Sequence, residues 1–184
     1  MPHKNPWKKL SSKIAYDNSP YWRIREDEVI TPTGTKGRYA YVETEFAVSI
    51  VAFNEANEVL LVGQYRYPTD IFSWEVPAGG GAKGEIPLQT AHKELAEEAG
   101  MTADEWIALS RYQTWNGASS EWTYPFIARN LHPTHAKEQD DEQIDEVKNV
   151  ALSDALAMID RGEITDGQSI ATLYLAARHL GMIK

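Results

Sequence analysis

The chain has 184 residues, 27 acidic against 18 basic, for a formal net charge of −9, and it contains no cysteine. That length suits one domain, or one domain with a small appendage. The acidic balance argues against a nucleic-acid backbone as partner, and the missing thiols exclude a disulfide framework and thiolate chemistry. The N-terminal MPHKNPWKKL lacks the apolar core of a secretory signal and no apolar run approaches a membrane span, so a cytoplasmic protein without a membrane partner is expected.

Residues 1–44 read as an antiparallel strand unit, and 45–184 as the main domain. SKIAYDN and YWRIREDEVI alternate as strands do, with Asn18-Ser19-Pro20 as a turn, and RYAYVET follows the Pro32–Gly37 turn. Three strands without a helix make a thin sheet that needs a surface to pack on. Phe46–Phe53 and Glu58–Arg66 read as a buried hairpin around Asn54–Asn57, and Phe72–Pro77 as a short strand. A helix is predicted from about Pro87, where a proline is tolerated at the first turn, to Gly100, suited to a left-handed cap. Thr102 with Glu105 suggests a capping box for a short turn. Ile107–Trp115, Trp122–Ala128 and Val147–Leu152 read as strands, and Ser153–Arg161 and Ser169–His179 as helices. Mixed strands with helices fit an α/β/α sandwich, which periodicity alone leaves ambiguous.

The stretch that organises the rest is Gly79–Met101, GGGAKGEIPLQTAHKELAEEAGM. A glycine-rich loop enters a helix carrying Glu94, Glu97 and Glu98, which at spacings of three and four share an arc of roughly 100° beside the apolar Leu88, Ala91, Leu95 and Ala99. Three clustered carboxylates repel one another. A divalent cation removes that cost, and oxygen ligands suit Mg²⁺, with Mn²⁺ as the second choice.

This stretch resembles the signature of the Nudix hydrolases. Gly79 opens it, Glu85 follows after five residues, and seven more lead to Lys93-Glu94-Leu95-Ala96-Glu97-Glu98-Ala99-Gly100-Met101. Every fixed position matches except an arginine, replaced by Lys93. Lysine keeps the charge and can pair with Glu97 one turn on, but it lacks the planar guanidinium fork. The resemblance implies a Nudix-type sandwich with a mixed sheet, and hydrolysis of a diphosphate bond in a nucleoside diphosphate compound.

Four features beyond this signature resemble the ADP-ribose and nucleoside diphosphate sugar pyrophosphatases: the N-terminal strand unit, which in that group helps to form a homodimer; Gln64-Tyr65-Arg66; Glu75-x-Pro77-Ala78-Gly79; and Gly117-x-Ser119-x-Glu121. Where ADP-ribose enzymes carry a proline before that loop glycine, this chain has Asn116. The departure shifts weight from ADP-ribose alone toward other nucleotide sugars such as GDP-mannose, or toward broad specificity. The resemblance implies Glu94, Glu98, Glu97 and the Ala78 carbonyl as metal ligands, with Glu97 as ligand or orienting group. Glu85, Lys93, Gly100 and Gly79 take structural parts. Arg66, Glu75, Gly79, Asn116, Glu121 and Trp22, with Tyr21 beside it, are expected at the substrate. A general base is expected from Asp140-Asp141-Glu142, with Asp140 as base and Glu142 as base or extra ligand, and Glu121 as a secondary carboxylate. Competing readings are a nucleotide-sugar sensor, which usually loses acidic signature residues that this chain retains, and a dinucleoside polyphosphate or cap hydrolase.

Overall fold

The computed structural model describes residues 4–134, 144 and 146–183. Cα packing divides the chain into two compact units: Met1–Glu45 with Trp115–Glu121, and Phe46–Thr114 with Trp122–Lys184.

The first unit is a three-stranded antiparallel sheet of β1 (Lys8–Asn18), β2 (Trp22–Ile30) and β3 (Lys36–Glu43), in that spatial order. It has little core of its own: Val29 and Asp27 are its buried strand residues, and β1 is exposed on both faces. Backbone ladders join the strands, and cross-strand ion pairs add to them. Arg25 donates through Nε and a terminal nitrogen to both Glu43 oxygens at 2.6 and 2.7 Å, while Lys13 and Arg38 both reach Glu26. The loop 115–121 belongs to this unit because β3 holds it. The Val42 N–H donates to the Ala118 carbonyl at 2.8 Å, the Ser120 N–H donates to the Val42 carbonyl, and the Tyr39 hydroxyl donates to the Gly117 carbonyl.

The Arg25 bonds hold Glu43 below the ordinary carboxylate range, against a smaller opposing push from burial. A carboxylate with a depressed folded-state pKa stabilises the fold above its unfolded value, and that contribution disappears as pH falls through the folded value. Amide-exchange protection in β2 and β3, corrected for intrinsic rates, is therefore expected to fall as pH drops below about 4, and Glu43→Gln to flatten the dependence. Equal slopes in the two proteins would show that this pair does not hold the sheet.

The second unit contains β4 (Phe46–Ala52), β5 (Glu58–Arg66), β6 (Ile71–Glu75), β7 (Ala78–Gly81), α1 (Pro87–Ala99), β8 (Met101–Ala108), β9 (Thr123–Pro133), β10 (Glu146–Ala151), α2 (Leu152–Asp160) and α3 (Gly167–His179). Its strands form two sheets, β10-β5-β6 and β7-β4-β9-β8. The second is mixed, since β4 and β9 run parallel. The near-continuous apolar runs of β4 and β5 follow from burial on both faces. Val48, Ile50, Leu60 and Val62 pack with Ala91 and Leu95 of α1. Their alternates Val51, Val59 and Leu61 pack with Leu152, Met158, Leu173 and Ala176 of α2 and α3. Two cores on opposite faces of the strand layer make this unit the expected α/β/α sandwich.

Three local readings need correction. The Phe46–Phe53 and Glu58–Arg66 strands share a turn and one bridge, Phe53 with Val59, but no ladder. Each strand has two edges, and those of β4 are taken by β7 and β9, those of β5 by β6 and β10. Thr102 and Glu105 cap no turn; they lie in β8, which runs antiparallel to the far half of β9. Tertiary pairing there overrides a local capping signal. The strand expected over Ile107–Trp115 accordingly ends at Ala108, after which Tyr112 makes one isolated bridge to Thr123.

Candidate active site

The site is built where β7 meets α1. Pro87 occupies the first turn of α1, and Gly100 closes the helix at φ 65°, donating its N–H to the Ala96 carbonyl. The buried face of α1 is Thr90, Ala91, Glu94, Leu95 and Glu98, while Leu88, expected in the apolar stripe, is exposed. Two carboxylates therefore sit on the packed face itself. Glu94 is 9% and Glu98 6% exposed.

Both acids lie against the backbone of β7. The Ala78 N–H donates to Glu98 Oε2 at 2.9 Å. The Gly79 Cα stands so close to Glu94 that a Cβ there would lie 2.2 Å from its carboxyl carbon. Gly79 is thus required by close approach, not by an unusual backbone angle. Ladder pairing of β7 with β4, Val48 opposite Gly79 and Ser49 opposite Ala78, holds this backbone in place. Glu97 is half-buried and pairs with Lys93 Nζ at 3.4 Å. Burial works to lower the proton affinity of Lys93, but Glu94, Glu97 and Glu85 outweigh it and the net shift is upward. Glu85 ties the loop to the helix, its Oε2 accepting from the Ala82 N–H at 2.9 Å and the Thr90 hydroxyl at 3.1 Å. These two bonds, the backbone one first, hold its carboxyl below the ordinary range.

Arg66, at the end of β5, donates from Nε at 2.9 Å and from a terminal nitrogen to the two oxygens of Glu75 on β6. Glu75 is 3% exposed. The Glu98 carboxyl is pushed well above its ordinary value, first by burial and then by Glu94 and Glu75, while the Ala78 N–H and Arg66 pull it back. Arg66, Glu75, Glu94 and Glu98 are therefore one electrostatic cluster with a surplus of negative charge. Arg66→Lys loses the fork and leaves the buried Glu75 with one bond at most, so a stability loss of about 1–3 kcal/mol is expected by urea unfolding. An unchanged midpoint would show that the pair contributes nothing net.

Among the described residues, no three His, Asp or Glu side chains converge as a closed ion cage. The donor chemistry nonetheless fits a hard divalent cation: two buried carboxylates on one helix, a third half-buried beside them, and a backbone segment against which the first two rest. The surplus charge on Glu98, Glu94 and Glu75 is the cost that such a cation removes.

The other expected residues belong to the first unit or fall outside the described residues. In the first unit, Asn116 is exposed, the Glu121 N–H donates to Ser119 Oγ at 3.1 Å, and Trp22 stacks on Tyr16 at 5.6 Å between ring centroids. Tyr21 is 73% exposed. Asp140 and Glu142 lie outside the described residues. Sequence reading missed the Arg66–Glu75 pairing and the hold of β3 on the 115–121 loop; both join residues whose separation in the chain carries no local signal.

A profile described as the NUDIX domain matches residues 43–173, and one described as the nucleoside diphosphate sugar hydrolase N-terminal domain matches residues 7–42. The chain is 32% identical over 144 residues to an ADP-ribose pyrophosphatase of Bacillus subtilis, covering 78% of each protein. It is 30% identical to a methanol dehydrogenase activator of Bacillus methanolicus, over 83% of this chain and 84% of that protein. Its fold is similar to a crystal structure described as an ADP compounds hydrolase, with a TM-score of 0.84, 17% identity, and coverage of 99% and 98% of the two chains. The signature geometry and the match across residues 43–173 lead to one assignment: the chain belongs to the NUDIX domain family.

Proposed function

We propose that this enzyme hydrolyses the diphosphate bond of nucleoside diphosphate sugars, ADP-ribose and GDP-mannose among them, releasing a nucleoside monophosphate and a sugar phosphate. The observation that carries the reaction is the buried Glu94–Glu98 pair held against Ala78 and Gly79 with Arg66 and Glu75 beside it. The match of residues 7–42 to a nucleoside diphosphate sugar hydrolase domain supports the substrate class, as does the similarity to an ADP-ribose pyrophosphatase.

Glu94, Glu98 and the Ala78 carbonyl are the groups that hold Mg²⁺ or Mn²⁺ in this reading, with Glu97 as a further ligand or an orienting group through its Lys93 pair. A bound divalent cation supplies Lewis acidity at the phosphate oxygens and lowers the pKa of an attacking water. The Arg66 guanidinium, oriented by Glu75, is assigned to a phosphate oxygen. Gly79 permits the close approach of backbone and carboxylate. Glu121 and Asn116 are assigned to the substrate loop, Trp22 and Tyr21 to the nucleobase, and the Asp140–Glu142 segment to proton removal from water. Residues 1–44 serve as the dimerisation and substrate-contact unit, and 45–184 as the hydrolase domain. The edge strand β1 supports a homodimer, because Leu10, Ile14 and Tyr16 lie exposed on it. A cytoplasmic setting without nucleic-acid partners completes the reading, supported by the net charge of −9. Among the described residues, no helix is long and apolar enough to cross a membrane.

The test is turnover of ADP-ribose, GDP-mannose and UDP-glucose with and without Mg²⁺, following release of the nucleoside monophosphate. Cation-dependent cleavage of at least one is expected; cleavage of none sinks the proposal.

A further inference from the structure

β6 ends at Glu75 and β7 begins at Ala78, so Val76 and Pro77 carry the chain from one sheet of the second unit to the other. Proline has no N–H, which leaves this crossing a single backbone donor, on Val76. Val76 is 1% exposed, and a donor buried there needs an acceptor from the protein. Ser169 supplies it: its Oγ accepts from the Val76 N–H at 3.0 Å. Ser169 is itself fully buried in the first turn of α3, where its own N–H donates to Asp166 Oδ2 at 2.7 Å.

The next two backbone positions are held by other elements. The Ile50 N–H of β4 donates to the Pro77 carbonyl at 2.8 Å, and the Ala78 N–H donates to Glu98 Oε2 of α1 at 2.9 Å. Antiparallel pairing alternates, so the bond between Ile50 and Pro77 makes the adjacent Ser49–Ala78 pair a non-hydrogen-bonded one. Both backbone groups of Ala78 then point away from β4, to the side where Glu98 lies. α3, β4 and α1 thus fix three successive residues, and the middle one has its φ locked by the proline ring. The place and direction of the Ala78 backbone therefore follow from where Val76 is anchored.

Other buried hydroxyls of α3 bond elsewhere. Thr172 Oγ1 meets Ser49 Oγ at 2.6 Å and the Tyr112 hydroxyl at 2.9 Å, and Tyr112 donates to the Gln168 carbonyl at 2.9 Å. They join α3 to β4 and to the segment after β8, whereas Ser169 reaches the crossing itself. Its link to the acids runs through backbone: Ser169 to Val76, Val76 to Ala78, and Ala78 to Glu98.

We propose that Ser169 is a positioning residue for the cation site: its hydroxyl sets the Val76–Ala78 backbone against which Glu98 is held. The inference rests on the cation-dependent hydrolase reading, but ion binding alone reads it out. The test is Mn²⁺ titration of the whole protein without nucleotide, following the free ion by electron paramagnetic resonance. Ser169→Ala is expected to weaken Mn²⁺ binding about tenfold, as loss of a group that orients a metal ligand does. Met158→Ala is the control. It truncates a buried side chain on α2 and destabilises the same unit without removing the Val76 acceptor, so affinity should stay within about twofold. Ser169→Cys keeps the side-chain volume but accepts weakly, and a loss of at least about threefold is expected. It decides the matter should Ser169→Ala fail to fold; failure of both makes Ser169 structural and overturns the proposal. So does an absence of Mn²⁺ binding in the wild type, an affinity unchanged by the Ser169 variants, or one lowered equally by Met158→Ala. The two readings fail separately: a substrate panel without turnover removes the hydrolase reading and leaves the Mn²⁺ comparison standing, whereas turnover with Mn²⁺ binding indifferent to Ser169 removes the positioning role alone.

Discussion

Glu98→Gln is expected to lower kcat for the best nucleotide sugar by about 10³-fold, close to 4 kcal/mol of lost transition-state stabilisation. Glutamine keeps the shape and one carbonyl oxygen, so the Ala78 N–H still has an acceptor at the position now 2.9 Å away. It removes the negative charge, which is what the proposed cation would bind. The metal-free fold should not suffer. The Glu98 carboxylate is buried beside Glu94 and Glu75, and removing its charge relieves repulsion and a desolvation cost. Steady-state kinetics with Mg²⁺, paired with thermal unfolding in a chelator, separates the two effects. A kcat loss below about tenfold would remove Glu98 from the ligand set. A collapse of the metal-free fold would mean that the carboxylate is structural.

Gly79→Ala tests the same site from the backbone side. The added methyl would lie 2.2 Å from the Glu94 carboxyl carbon and Oε2, well inside any tolerable contact. Either Glu94 swings away or β7 shifts from β4, and both separate the acid from the backbone it rests on. Overpacking of this kind costs about 1–3 kcal/mol of stability. The larger expected effect is a loss of at least about 10²-fold in kcat/KM, since a misplacement near 1 Å at a reacting centre has that consequence. The neighbouring Gly80, where an added Cβ meets nothing within 4 Å, is the control and should lose little. Equal activity in the alanine variants at 79 and 80 would show that Glu94 is not held where the chemistry needs it.

Much of this arrangement is legible in the sequence, and for a local reason. Helix α1 announces itself through a 3.6-residue pattern, a proline suited to its first turn and a glycine at its end, all of which act within a few residues. The Lys93–Glu97 pair is equally local, being one helical turn apart. Burial of that helix is not set within the helix itself. Periodicity placed Glu94 and Glu98 at the edge of an apolar stripe, whereas packing against β7 encloses both and leaves Leu88 outside. Which side of an amphipathic helix is covered depends on what lies over it.

The strands show the same division. Alternation and turn residues located the three N-terminal strands and the cores of β4, β5 and β9, because each signal lies within its own segment. Partner choice left no such mark. That β4 and β5 part company after one bridge, and that Thr102–Ala108 joins the far half of β9, depends on which edges other strands have already filled.

The chemistry of the reaction therefore resides in the sequence, in acids whose spacing on one helix is set by covalent geometry. The surroundings that tune those acids do not. Arg66 meets Glu75 across a hairpin, Ala78 meets Glu98 across twenty residues, and Val76 meets Ser169 across more than ninety. Burial and long-range electrostatics arise from folding the whole unit, and they convert a row of carboxylates into a cluster with a charge to neutralise.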